Sequence, residues 1–123
     1  MRDAADQLEE VYFSEEWRQA VPERAEAARA MFLSIDPDVF VAGAQLLERL
    51  SLEEINGRIQ ASTLLIAGEK DPFFKHFPIT DLLSMIPSSE AVNASGARHR
   101  VLLEQPDLLS PVIQEFLSDP DAR

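Results

Sequence analysis

The 123 residues suffice for one domain, and 46% hydrophobic content suffices for a packed core. Twenty-two acidic residues against eleven basic ones leave a formal charge of −11, which argues against phosphate-backbone binding and against docking on an anionic membrane. The absence of cysteine excludes a disulfide framework, a cysteine-based zinc site and a thiol nucleophile.

The chain opens on Met1-Arg2-Asp3-Ala4-Ala5-Asp6, with acids where a signal peptide carries an apolar segment. No run approaches the roughly 18 apolar residues that span a bilayer. The expectation is a soluble, cytoplasmic protein with no membrane or nucleic-acid partner.

Residues 1–50 are helical in character. Leu8, Val11, Tyr12 and Trp17 recur at helix-like spacing, and Ser14 before Glu15-Glu16 suits the start of a short helix with acids in its first turn. Pro22 at a first helical position predicts a helix to about Leu33, with Ala25, Ala28, Met31, Phe32 and Ile35 on its apolar side. Asp36-Pro37 caps the next helix, in which Phe40, Val41, Ala44, Leu47 and Leu50 repeat at three- and four-residue steps. Ser51-Leu52-Glu53-Glu54 has capping-box spacing and predicts a further short helix near Ile55.

The pattern then changes. Thr63 to Ala67 is a short apolar run, partly β-branched and ended by Gly68. Its apolar residues are consecutive, the mark of an inner strand of a parallel sheet with both faces buried. Phe77 to Ile86 suits a helix, Pro87-Ser88-Ser89 ends it, and Glu90 to Asn93 reads as a second, weaker strand. From Pro106, or from Ser110-Pro111, to Leu117 a last amphipathic helix uses Val112, Ile113, Phe116 and Leu117.

Strand, helix and strand in that order make a right-handed βαβ unit with two parallel strands. Such a sheet keeps two open edges, and an inner-type strand at an edge invites pairing with another chain. The pattern describes part of a larger sheet.

Ligands of open parallel sheets lie beyond the carboxyl ends of the strands. Asp71 follows the first strand and His99 follows the second, so the topology brings both to one rim. A carboxylate that accepts a hydrogen bond from imidazole fixes the tautomer and leaves the other ring nitrogen as a general base. The same residues also suit a plain Asp-Pro turn and a packed histidine.

The wording around them adds more. Ile59 to Pro72 resembles the seventh-strand region of the α/β-hydrolase family, in which Gly-x-x-Asp carries the triad acid. Gly96-Ala97-Arg98-His99, followed by Glu104-Gln105-Pro106 and the helix to Phe116-Leu117, resembles that family's last loop with the triad histidine. The resemblance covers residues 51 to 118 and is weak before residue 50. It implies a partial α/β-hydrolase fold with a helical cap-like segment at 1–50 and a C-terminal α/β portion at 51–123. Asp71 then stands as triad acid and His99 as triad base. Ser62 stands where the family usually has proline, and Arg98 where it usually has glycine.

The nucleophile is missing. The family's elbow is Gly-x-Ser-x-Gly, or Gly-x-Asp and Gly-x-Cys in relatives. Two positions after Gly43, Gly57, Gly68 and Gly96 stand Gln45, Ile59, Lys70 and Arg98, none of them a nucleophile. No glycine-rich oxyanion segment occurs either.

The resemblance thus implies the C-terminal part of a hydrolase, with a Ser-His-Asp mechanism that requires a second chain to supply the missing strands and nucleophile. Ester, lactone and carbon–carbon substrates stay open, and so do epoxides or haloalkanes if the nucleophile is Asp. The competing reading is a non-catalytic remnant that serves as a binding or self-associating module. His76 reads as an exposed loop residue, with a rival base as the alternative, and Met31 and Met85 read as core. Glu69 and Lys70 read as solvated or locally paired, and Phe13, Tyr12 and Trp17 as packing of the helical segment, with the lining of a substrate pocket as the alternative. No metal-ligand spacing and no phosphate-cradling or dinucleotide glycine loop is present, so no metal and no cofactor are expected.

Overall fold

The computed structural model describes residues 4–50, 56–75 and 78–118. Four helices open the chain: α1 (Ala4–Tyr12), α2 (Glu15–Ala20), α3 (Pro22–Leu33) and α4 (Pro37–Arg49). Strand β1 (Thr63–Gly68) follows, then a 3-10 turn (Pro72–Lys75), α5 (Ile79–Met85) and β2 (Ser89–Ala94). The short α6 (Val101–Glu104) and the longer α7 (Pro106–Ser118) complete a mixed helix–strand architecture.

The helix starts follow local chemistry. Ser14 accepts a hydrogen bond from the Trp17 amide at the head of α2, and Asp36 accepts from the amides of Asp38 and Val39 at the head of α4. Pro22 and Pro37 stand in the first turns of α3 and α4, where a missing N–H costs nothing. Of the two predicted starts for the last helix, the structure takes Pro106 and carries Pro111 inside α7. The predicted helix near Ile55 and the reading of His76 fall outside the described residues.

The two strands pair in parallel, from Thr63 beside Ser89 to Gly68 beside Ala94. Each strand is a residue or two longer than its sequence pattern suggested, because the ladder continues past the apolar run into Gly68 and Ala94. Beneath their carboxyl ends lies a small core of Ala94, Ala97, Val101 and Leu109, with Ile66, Val92 and Ile113 packed against it. A second centre joins the helices. Phe13, 1% exposed, stacks on Trp17 at 4.4 Å between centroids, and Tyr12 stacks on the buried Phe32 at 5.2 Å. These aromatics pack the helical segment, as their clustering in the sequence suggested.

Two expectations need correction, and a third feature was not foreseen. Thr63 to Ile66 are half-buried rather than enclosed on both faces, and among the described residues β1 pairs with β2 alone. Met31 is 49% exposed and is not core, because the side of α3 that carries Phe32 is the one turned inward. The apolar residues of α4 lie bare: Val39, Phe40, Val41, Leu46 and Leu47 are all exposed. An amphipathic pattern says that a face is built to be covered, and among the described residues none covers this face of α4.

No single described helix is long and apolar enough to cross a membrane, although α3 and α4 together, bent by 88°, have the length and composition of a broken span.

Candidate functional site

Asp71 sits where β1 gives way to the 3-10 turn. Its amide donates to the Gly68 carbonyl at 3.0 Å, and its Oδ1 accepts the Phe73 amide at 2.9 Å. The second bond is a local side-chain turn that the dipeptide Asp71-Pro72 favours. It aims Oδ2 away from solvent, toward the loop that follows β2. There the Nδ1 of His99 lies 2.8 Å away, although 28 positions separate the two residues in the chain.

The pair is asymmetric in burial. The Asp71 side chain is 1% exposed and that of His99 is 40% exposed. A buried carboxylate is tolerated when its lone pairs are used, and both Asp71 oxygens have donors. An ionised carboxylate can only accept, so Nδ1 carries the shared proton and Nε2 is left with the free lone pair. Two rings hold the imidazole: Phe73 meets it edge-on at 4.7 Å, and Tyr12 lies at 5.2 Å with a 46° tilt. The Arg100 guanidinium covers the Tyr12 ring at 5.1 Å.

The histidine loop is fastened at several points. Gly96 turns the chain after β2 at φ 75°, a conformation that glycine adopts without strain. The Ala97 carbonyl accepts the Lys70 amide at 2.9 Å, and the Arg100 amide donates to the Tyr12 carbonyl at 2.9 Å. Arg98, where a family pattern would have glycine, keeps an ordinary backbone conformation and sends its guanidinium to the Glu10 carbonyl. It braces the loop against α1 and leaves the imidazole alone. Glu104, at the end of α6, accepts the Arg98 amide at 2.7 Å on Oε1 and the Ser14 amide at 3.0 Å on Oε2. Trp17 Nε1 donates to the Leu103 carbonyl at 3.1 Å.

Sequence reasoning picked out Asp71 and His99, and the structure brings them into contact. It weighed Tyr12 as packing or as pocket lining, gave no role to Phe73 beside the ring, and named Glu104 only within the stretch that leads to the last helix. For Phe73 a signal existed, since a residue two places after an Asp-Pro turn stays beside the aspartate. For Glu104 none did, because its partners are a backbone amide six positions back and another ninety positions back. Lys70 does not pair locally. It reaches Glu16 at 3.3 Å, across to α2, and this contact together with the Glu16 backbone amide lowers the Glu16 carboxyl below its ordinary value, the amide being the larger cause.

Glu69 closes the turn that precedes the histidine loop. Its Oε2 accepts the Gly96 amide and the Ser95 hydroxyl, each at 2.8 Å, and these bonds, the amide first, hold its carboxyl below its ordinary value. A carboxyl whose folded pKa is depressed contributes stability above its unfolded pKa and loses it as pH falls through the folded value. Glu69→Gln is therefore expected to lower the urea midpoint at pH 7 and to lower it by less at acid pH. An equal difference at both pH values would mean that the ionised carboxylate is not what holds the turn.

Among the described residues no cluster of three or more His, Asp or Glu side chains could hold a metal ion. What the site offers is proton chemistry: one imidazole nitrogen fixed by a buried carboxylate and the other facing outward.

No family model matches this chain, and no curated protein does. Among solved structures it is similar to one described as the structure of a thermophilic esterase, with a TM-score of 0.71 and 30% sequence identity. The match covers 93% of this chain and 44% of that one. The chain thus spans less than half the length of the structure it matches.

Proposed function

We propose that this chain is the C-terminal part of an α/β-hydrolase-like protein, in which Asp71 orients His99 as the general base of a Ser-His-Asp triad. The observation that carries the reading is the 2.8 Å contact from Asp71 Oδ2 to His99 Nδ1, made by loops at the carboxyl ends of two parallel strands. The likeness to an esterase over 93% of the chain supports it.

In this reading the nucleophile comes from a second polypeptide segment that also extends the sheet. His99 Nε2 takes the proton of the nucleophile as it attacks an ester-like carbonyl and returns it to the leaving group. Asp71 stabilises the imidazolium formed in between. Its burial preserves the strength of that bond, and the exposure of His99 leaves Nε2 accessible to the incoming nucleophile.

The test has two arms. The purified chain is expected to show no turnover of short p-nitrophenyl esters. Joined behind the complementary half of the esterase that it resembles in structure, it is expected to hydrolyse them in a manner abolished by His99→Ala. Turnover by the chain alone, lost on His99→Ala, would overturn the need for an external nucleophile. A folded but inactive chimera would count against the triad role.

A second reading, a non-catalytic module that associates through its open surface, is favoured by the bare apolar residues of α4 and, among the described residues, the one-sided pairing of each strand. It requires the isolated chain to self-associate, and a well-behaved monomer in light scattering would remove it.

A further inference from the structure

We propose that Glu104 is a positioning residue for His99: its single carboxylate ties the histidine loop to the junction between α1 and α2 and so keeps Nδ1 facing Asp71. The proposal rests on reading Asp71 and His99 as an acid–base pair.

The geometry is specific. Glu104 follows His99 by one helical turn and a step, so that α6 carries its side chain back over the start of the loop. Oε1 accepts the amide of Arg98, the residue immediately before the histidine, at 2.7 Å. Oε2 accepts the amide of Ser14, the N-cap residue of α2, at 3.0 Å. Charge-assisted bonds of this length are stronger than those between neutral groups. Both amides belong to chain segments outside helix or strand, where no neighbouring carbonyl is regularly available to accept them.

The consequence for His99 follows from where the bonds fall. The peptide plane between Ala97 and Arg98 sets the direction in which the chain enters residue 99. On one side of that plane the Ala97 carbonyl accepts the Lys70 amide, at the end of the strand that leads to Asp71. On the other side the Arg98 amide donates to Glu104. One peptide group is therefore fixed from both faces, once to the segment that carries the acid and once to the helical segment whose Tyr12 lies beside the imidazole. Releasing Glu104 frees the plane to rotate, and an imidazole 40% exposed has room to follow it.

Glutamate is required rather than glutamine. A carboxylate offers an acceptor to both amides, whereas a side-chain amide presents N–H to one of them and leaves two donors face to face. Alanine leaves both amides without an acceptor.

Two spectroscopic readouts on the purified chain test this without any enzymatic activity: the low-field resonance of the His99 Nδ1 proton and the hydrogen exchange of the Arg98 amide. Glu104→Ala is expected to abolish the resonance and to speed exchange by about tenfold or more, and Glu104→Gln to weaken both features to an intermediate degree. Ile113→Val, a core truncation, is expected to lower the melting temperature while leaving both features in place. If Glu104→Ala fails to fold, Glu104→Gln decides. Retention of the resonance and of Arg98 protection in the glutamine variant would make Glu104 a structural residue only. Absence of the resonance from the wild-type chain would instead overturn the Asp71–His99 pairing, and the proposal with it.

Discussion

Asp71→Asn is expected to reduce kcat of the completed enzyme by about 10⁴ while leaving the fold intact. Asparagine has the shape of aspartate and can still accept the Phe73 amide on its oxygen. Its NH₂ group then faces His99 Nδ1, 2.8 Å from the wild-type oxygen, and two donors cannot share that contact. The imidazole escapes by moving its proton to Nε2, which removes the lone pair that acts as base. The tautomer can be read directly from the ¹⁵N shifts of the imidazole in the isolated chain, and kcat from ester hydrolysis by the chimera. A chimera that carries Asp71→Asn and keeps wild-type kcat would sink the assignment of Asp71 as the orienting acid. A tautomer that stays on Nδ1 would show that another group holds the ring.

Gly68→Ala is expected to cost about 1–3 kcal/mol of stability, the range for overpacking a close-packed site, and to separate His99 from Asp71 as well. The reason is space rather than backbone freedom, because the positive φ among the described glycines belongs to Gly96. A Cβ on residue 68 would overlap the Arg98 carbonyl oxygen and lie 2.6 Å from that of Ala97. Both obstacles are backbone atoms, so no side-chain rotation relieves them. The 97–98 segment has to lift, which breaks the bond from the Lys70 amide to the Ala97 carbonyl and carries His99 away with it. Chemical denaturation and the His99 Nδ1 resonance together check this. A variant with wild-type stability and an intact resonance would mean that the loop does not sit so close to the strand.

These two residues show what could be read from the chain and what could not. The parallel pair of strands was legible because an uninterrupted apolar run ended by glycine is hard to place anywhere else. The meeting of Asp71 and His99 was legible because parallel strands deliver their following loops to the same rim. Gly68 was read as a strand terminator, yet its necessity comes from a loop thirty residues later that passes over it. No local pattern records that approach. Glu104 was visible only as part of a helix-start motif, since a contact between a side chain and a distant backbone amide leaves no periodic trace. The bareness of α4 and Met31 was hidden for the opposite reason: periodicity reports which face is apolar and says nothing of whether a neighbour is present to cover it.

The ties between the histidine loop and the first two helices also bear on how the chain folds. Ser14 and Glu104 are 90 residues apart, Arg98 and Glu10 are 88 apart, and Trp17 and Leu103 are 86 apart. Contacts of such range pay their loop-closure entropy before returning any stability, whereas β1 and β2 pair across only 26 positions of chain. The strand–helix–strand unit can therefore assemble early, and the imidazole reaches its final setting when residues 10–17 meet residues 98–104. The site is in this sense expected to form after the sheet, and local opening that detaches these two segments is expected to dismantle it before the sheet is lost.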